Sequence, residues 1–287
     1  MNIEPSELLI VGAIVAIGLA VGLQSPSEDT VARWLTSYEA PADDMSRSTA
    51  RRYLALTKRS RFGAAFVTIV VYSLATSRSD LPAWINTLVA GLAGYLIGAI
   101  AAEVAYRRPA RGRFIGAMVA PRTLATYIPR IAIAALGIMP LAATALAARF
   151  WSVERKVPRR FHLQDPAVVM GAALFAIVVA VVTWAALRAL VRRRQPTSSA
   201  VELALDDAMR ASSAHALAGA ALALEWLLLG FILSALQQWM SVDSSRFAGL
   251  VSFLCFLSLG AAFTSWAIIG HPERWRSRRP IWAENAG

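Results

Sequence analysis

The chain has 287 residues and is poor in most of the residues that do chemistry. It holds one cysteine, which excludes a disulfide framework and a cysteine-based zinc site. Three histidines, scattered at 162, 215 and 271, have no ligand-spaced partners, so no metal is expected. Only 16% of residues are charged, against about a quarter in soluble domains. That excludes a disordered tail, a coiled coil and an ordinary cytosolic enzyme. Lysine occurs twice, at Lys58 and Lys156, and the rest of the positive charge is arginine. The chain contains no Walker phosphate loop, no His-Glu-x-x-His and no Gly-x-Ser-x-Gly. ATP hydrolysis by this chain is therefore excluded, and the reading leans away from an enzyme. No cofactor is expected.

What the chain has instead is apolar sequence. Hydrophobic residues make up 57% and mean hydropathy is +0.51. A bilayer core of roughly 30 Å takes about 20 apolar residues as helix. Seven runs approach this, at about 8–23, 62–77, 84–105, 131–148, 167–187, 214–236 and 247–270. They lack the polar stripe of a soluble amphipathic helix. The fold class expected is all-α, a polytopic helical membrane protein in a single membrane domain. The first run has Glu4 and Glu7 before it and no cation, so it reads as a retained helix and not a signal peptide. The fourth run carries Pro140, which predicts a kink.

The positive charges orient these helices. Segments 24–61, 106–130, 188–213 and the tail 271–287 hold 22 of the 29 Lys and Arg residues. Seven spans put all four segments on one side. By the positive-inside rule that side is the cytoplasm, with the N-terminus outside and the C-terminus inside, in the cytoplasmic (inner) membrane of a bacterium. The net charge of +11 is explained this way, without a nucleic-acid partner. The outer loop 149–166 is the exception. Its Arg155, Lys156, Arg159 and Arg160 are expected to contact anionic phospholipid headgroups or another anionic ligand.

Runs one to three and five to seven share one plan: a span, a long basic linker, a hairpin and a basic exit. Both linkers contain Asp-Asp-x-x-Arg, at Asp43, Asp44, Arg47 and at Asp206, Asp207, Arg210. The plan suggests a parallel three-helix duplication, as in some transporters. The second linker reads as a helix, with Ser199 and Glu202 as a capping box. Val201, Leu205 and Met209 form its apolar stripe, and Asp206 and Arg210 form an i,i+4 pair on its wet face. The first linker, with Trp34, Tyr38 and the basic stretch 51–61, reads as a juxtamembrane helix on anionic lipid.

Glu225 is the most informative residue, because it stands near the centre of run six. A charged side chain at that depth costs at least about 2.5–3.5 kcal/mol. No Lys or Arg lies inside any run, so Glu225 needs a hydroxyl, amide, carbonyl, water or cation as partner. It reads as a proton, cation or cationic-substrate site, with a protonated interhelical hydrogen bond as the alternative. Glu103 and His215 are secondary candidates. Glu103 is four residues before Arg107, the spacing of an interfacial ion pair. His215 is ten residues, about 15 Å of helix, before Glu225. Gly94 and Gly98 form a Gly-x-x-x-Gly surface, read as internal packing in preference to a homodimer face.

The function expected is transport-related: a small permease, or the membrane subunit of an assembly whose motor, an ATPase, is a separate chain. The alternatives are a non-transporting accessory or scaffold, or an enzyme acting on lipid-linked substrates.

Overall fold

The computed structural model describes residue 20 and residues 24–75, 83–106, 123–154, 165–193, 199–242 and 248–271. The first apolar run therefore lies outside the described residues, as do the outer cluster at 155, 156, 159 and 160, and most of the tail. Every described element is helical. The order is α1 (Glu28–Ser37), α2 (Asp44–Ala75), α3 (Ala83–Ala105), a single turn α4 (Leu124–Tyr127), α5 (Arg130–Glu154), α6 (Pro166–Arg192), α7 (Ala200–Val242) and α8 (Ala248–Thr264), closed by a π-helical turn (Ser265–Ile269).

Five stretches among the described residues are long and apolar enough to cross a membrane: Thr87–Ala105, Arg130–Ser152, Pro166–Arg192, Ala200–Gln237 and Gly249–Ile269. This is the architecture of a multi-pass helical membrane protein. Runs three to seven coincide with these stretches. Run two begins inside α2, whose first half is the basic stretch of the preceding linker.

Caps and breakers explain most boundaries. Ser27 caps α1 by accepting from the Thr30 amide. The Asp43 carboxylate accepts from the amide and hydroxyl of Ser46 at the head of α2. Asp165 accepts from the Ala167 amide, and Pro166 occupies the first turn of α6, where a missing N–H costs nothing. At α7 the Glu202 amide donates to Ser199, one bond of the expected capping box. α5 continues through Pro140.

α7 organises the bundle. It packs on α3, α5, α6 and α8. Within its most apolar window 78% of residues are buried, against 17–39% for the other four spans. Those four turn Ile97, Leu174, Val181, Ile131, Leu141, Phe253 and Phe256 outward, which an aqueous surface would penalise and a bilayer would not. Glycine allows the closest approaches. A Cβ on Gly94 would lie 2.5 Å from the Ala64 carbonyl oxygen, and one on Gly98 would lie 2.7 Å from the Arg61 Cα. Gly-x-x-x-Gly of α3 is therefore the seam to α2, which is internal packing. Gly98→Leu is expected to destabilise the α2–α3 hairpin by about 1–3 kcal/mol through overpacking. A thermal melt in detergent followed by circular dichroism reads this, and an unchanged midpoint would contradict the seam.

The two linkers dock on each other. Val31, Trp34 and Leu35 of α1 and Tyr53 of α2 bury against Leu205, Ala208 and Met209 of α7. The apolar stripe of the second linker is thus covered by the first linker, and the linker itself is the opening of a 43-residue helix. Tyr53, expected on a lipid surface, is fully buried. The two Asp-Asp-x-x-Arg copies perform different tasks. Asp43 caps a helix end, whereas Asp206 sits within α7 in an ion network.

Candidate functional site

Two polar features stand out on α7, and fifteen residues separate them. The first is a network where α3 and α6 end and α7 begins. Asp206 joins two guanidiniums: Arg193 Nη2 donates to its Oδ1 at 2.6 Å, and Arg210 Nε donates to its Oδ2 at 2.8 Å. Arg193 also reaches Glu103 of α3 at 3.2 Å, and Arg210 Nη1 donates to the Leu190 carbonyl at 3.1 Å. Ser213 donates to the other oxygen of Glu103. The Tyr53 hydroxyl lies 2.7 Å from Ser213 Oγ and donates to the Met209 carbonyl at 3.0 Å. Trp34 Nε1 donates to Ser212 at 3.3 Å. Nearby, Tyr127 donates to Asp207 at 2.8 Å.

This geometry changes two expectations. The Asp206–Arg210 pair forms at i,i+4, yet Arg210 is 0% exposed, so it does not lie on a wet face. Its Nη1 is taken by the Leu190 carbonyl in the last turn of α6. Glu103 takes Arg193 and Ser213, ninety and 110 residues away in sequence, as partners. Arg107, the partner expected from spacing, lies outside the described residues.

Burial, reinforced by the charge of Glu103, pushes the Tyr53 phenol up to about 12 from its ordinary 10.0, despite the opposing pull of Arg61 and the serine hydrogen bonds. A raised folded value favours the protonated form in the native state. Its stabilising contribution is complete below pH 10.0 and is lost as pH rises toward about 12. Tyr53→Phe leaves the Met209 carbonyl and Ser213 without this partner, and is expected to cost about 1–3 kcal/mol. Thermal melts of the variant at neutral pH check this, and a wild-type midpoint would contradict it.

The second feature is Glu225. It lies about 22 Å along α7 from Arg210, in the middle of the bundle. It is 1% exposed, and among the described residues neither carboxylate oxygen has a hydrogen-bond partner. Its direction follows from the helix. Gly219 meets Gly270, and Gly230 meets Ser258 of α8. Ala223 and Leu227 face an apolar cavity shared with α2, α3 and α8. Glu225 is two residues, about 200° of helix, from either. It therefore points to the opposite side, where α5 and α6 pack. Asp207, five helical turns earlier on the same azimuth, meets Tyr127 immediately before α5. Buried carboxyls are normally satisfied, and one with no protein partner implies a proton, water or cation that completes it.

His215 is 1% exposed. Its Nδ1 lies 3.0 Å from the Ile269 carbonyl of the π-helical turn. It anchors the end of α8 to α7 and is not brought to Glu225. Among the described residues no group of three His, Cys, Asp or Glu side chains is arranged to hold a metal ion. Sequence reading missed Arg193, because it sits in the basic run 192–194 and resembles any cytoplasmic arginine. It also missed Arg61, a 9% exposed guanidinium at the boundary of run two. Comparison with protein-family models, with curated proteins and with solved structures found no match.

Proposed function

We propose that this chain is a transport-related protein of the inner membrane, either a small permease or the membrane subunit of an assembly whose motor is another chain. Glu225 is its central polar site. The observation that carries the reading is a carboxyl in mid-bundle, 1% exposed, whose two oxygens meet no hydrogen-bond donor among the described residues. Such a group is expensive to insert and adds no protein hydrogen bond in return, so its value lies in what it binds transiently.

Seven spans accommodate this reading, with the runs at 8–23 and 62–77 completing the five long apolar helices. The meeting of segments 24–61, 106–130 and 188–213 at one end of the bundle, through Tyr53, Tyr127, Arg193 and Asp206, supports their placement on one side. Under the positive-inside rule that side is cytoplasmic. The network around Asp206 ties α3, α6 and α7 together at this end, and the docked linkers form the surface a motor chain would approach. The outer Arg155, Lys156, Arg159 and Arg160 remain a proposed contact for anionic headgroups.

Purification in mild detergent from the native membrane, with mass spectrometry of what accompanies the chain, tests the reading. A stoichiometric nucleotide hydrolase identifies the subunit of a larger assembly. The chain alone, conducting ions in liposomes, identifies a permease. A stoichiometric partner with no transport activity, lost in Glu225→Gln, would overturn transport in favour of an accessory protein.

A further inference from the structure

On the side of α7 opposite Glu225 lies a cavity of about 490 Å³, within the range of small-molecule sites. Its walls are apolar, built by Phe62 of α2, Leu88 and Tyr95 of α3, Leu227 of α7, and Phe263 and Trp266 at the end of α8. Phe263 is also 57% exposed, so the cavity reaches the lipid-facing surface beside α8. Along α3 its lining runs from Thr87 to Tyr95, a depth of about 12 Å.

One end of this cavity differs from the rest. The Tyr95 ring meets Phe62 at 6.0 Å and Trp266 at 6.5 Å, both edge-on. The Arg61 guanidinium lies 5.8 Å from the centre of the same ring. Two N–H donors in this group, Arg61 Nε and Trp266 Nε1, are buried and have no hydrogen-bond partner among the described residues. Glu103, the carboxylate whose charge reaches Arg61, is already engaged by Arg193 and Ser213. Buried donors and buried cations are normally paired. Here one guanidinium nitrogen and one indole nitrogen, each without a partner among the described residues, lie against one ring, and that ring and the indole line the end of an apolar chamber. The π-helical turn that carries Trp266 is a rare geometry that often marks functional sites.

We propose that this cavity holds one acyl chain of an anionic phospholipid, with the headgroup phosphate turned toward Arg61 and Trp266. A cavity of this size with an apolar lining suits a hydrocarbon chain. The hydrocarbon lies among Phe62, Leu88 and Leu227. The phosphate adds a negative charge beside Arg61, whose side chain already interacts with Tyr95 and with the charge of Glu103, and an ester or phosphate oxygen accepts from the Trp266 indole. A zwitterionic lipid fits the chamber equally well but presents no net charge to the guanidinium. The site is independent of the role of Glu225, which faces the other way.

The test uses the full chain, stripped of lipid in detergent. It is offered equal amounts of phosphatidylglycerol and phosphatidylcholine with identical acyl chains, and bound lipid is counted by native mass spectrometry. The expected result is one retained lipid per chain, with phosphatidylglycerol favoured about tenfold. This arm needs no variant. Arg61→Gln is expected to bring the ratio close to one, and Arg61→Lys to keep most of the preference. Leu88→Trp, which fills the chamber, is expected to reduce retention of both lipids about tenfold. Equal retention of the two lipids by the wild-type chain, or an undiminished preference in Arg61→Gln, would overturn the proposal.

Discussion

Replacing Glu225 with leucine is expected to stabilise the fold while abolishing transport. A buried polar group without a partner costs about 1–3 kcal/mol in protein mutational data. Among the described residues Glu225 is such a group, so an apolar side chain of similar length removes that cost and fills the same space. If Glu225 were an interhelical hydrogen bond, the same substitution would instead destabilise the bundle. Chemical or thermal unfolding in detergent separates the two by the sign of the change. Glu225→Gln keeps the shape and removes the ionisable proton. It is expected to fold as the wild type does and to lose at least about tenfold in flux, roughly 1.4 kcal/mol. Coincident loss of folding and flux in both variants would assign the residue a structural role.

Asp206→Ala is expected to have the opposite profile, with a large loss of stability. Asp206 holds Arg193 at 2.6 Å and Arg210 at 2.8 Å, and Arg210 has no exposed surface. Breaking a buried ion pair by removing one partner costs about 3–5 kcal/mol, because the remaining charge stays in a low-dielectric interior. The damage should also spread. Arg193 bridges to Glu103 of α3, so the adjoining ends of α3, α6 and α7 lose a common tie. Limited proteolysis in the linker 188–213 reads this loosening directly. Asp206→Ala combined with Arg210→Met, which removes the orphaned charge, should recover much of the loss. A single variant as resistant to protease and heat as the wild type would remove the network from the account.

These two residues also mark what the sequence shows by itself. Glu225 was visible because a lone acid inside an apolar run has an unavoidable cost, whatever surrounds it. The helices α3, α5, α6, α7 and α8 were visible for a related reason, since bilayer thickness sets the length of an apolar run. The i,i+4 rule found the Asp206–Arg210 pair because both residues lie on one helix. It could not find which side of that helix was covered, since the Leu190 carbonyl and Arg193 that meet it come from the end of another helix. Glu103 shows the same limit. Local spacing offered Arg107, and the fold supplied Arg193 and Ser213. The aromatic end of the apolar cavity joins α2, α3 and the end of α8, and no local pattern links Arg61, Tyr95 and Trp266. Periodicity reports the environment of a residue along its own helix, whereas partners depend on which helices meet.

The most direct test of the central claim is proton flux through sealed liposomes carrying the purified chain, together with any stoichiometric partner that accompanies it. An imposed pH gradient is followed with an enclosed pH-sensitive dye. The predicted result is dissipation faster than in protein-free liposomes, slowed at least about tenfold in Glu225→Gln at equal protein content. Identical rates for the wild type and Glu225→Gln would contradict the claim that this buried carboxyl is the working site.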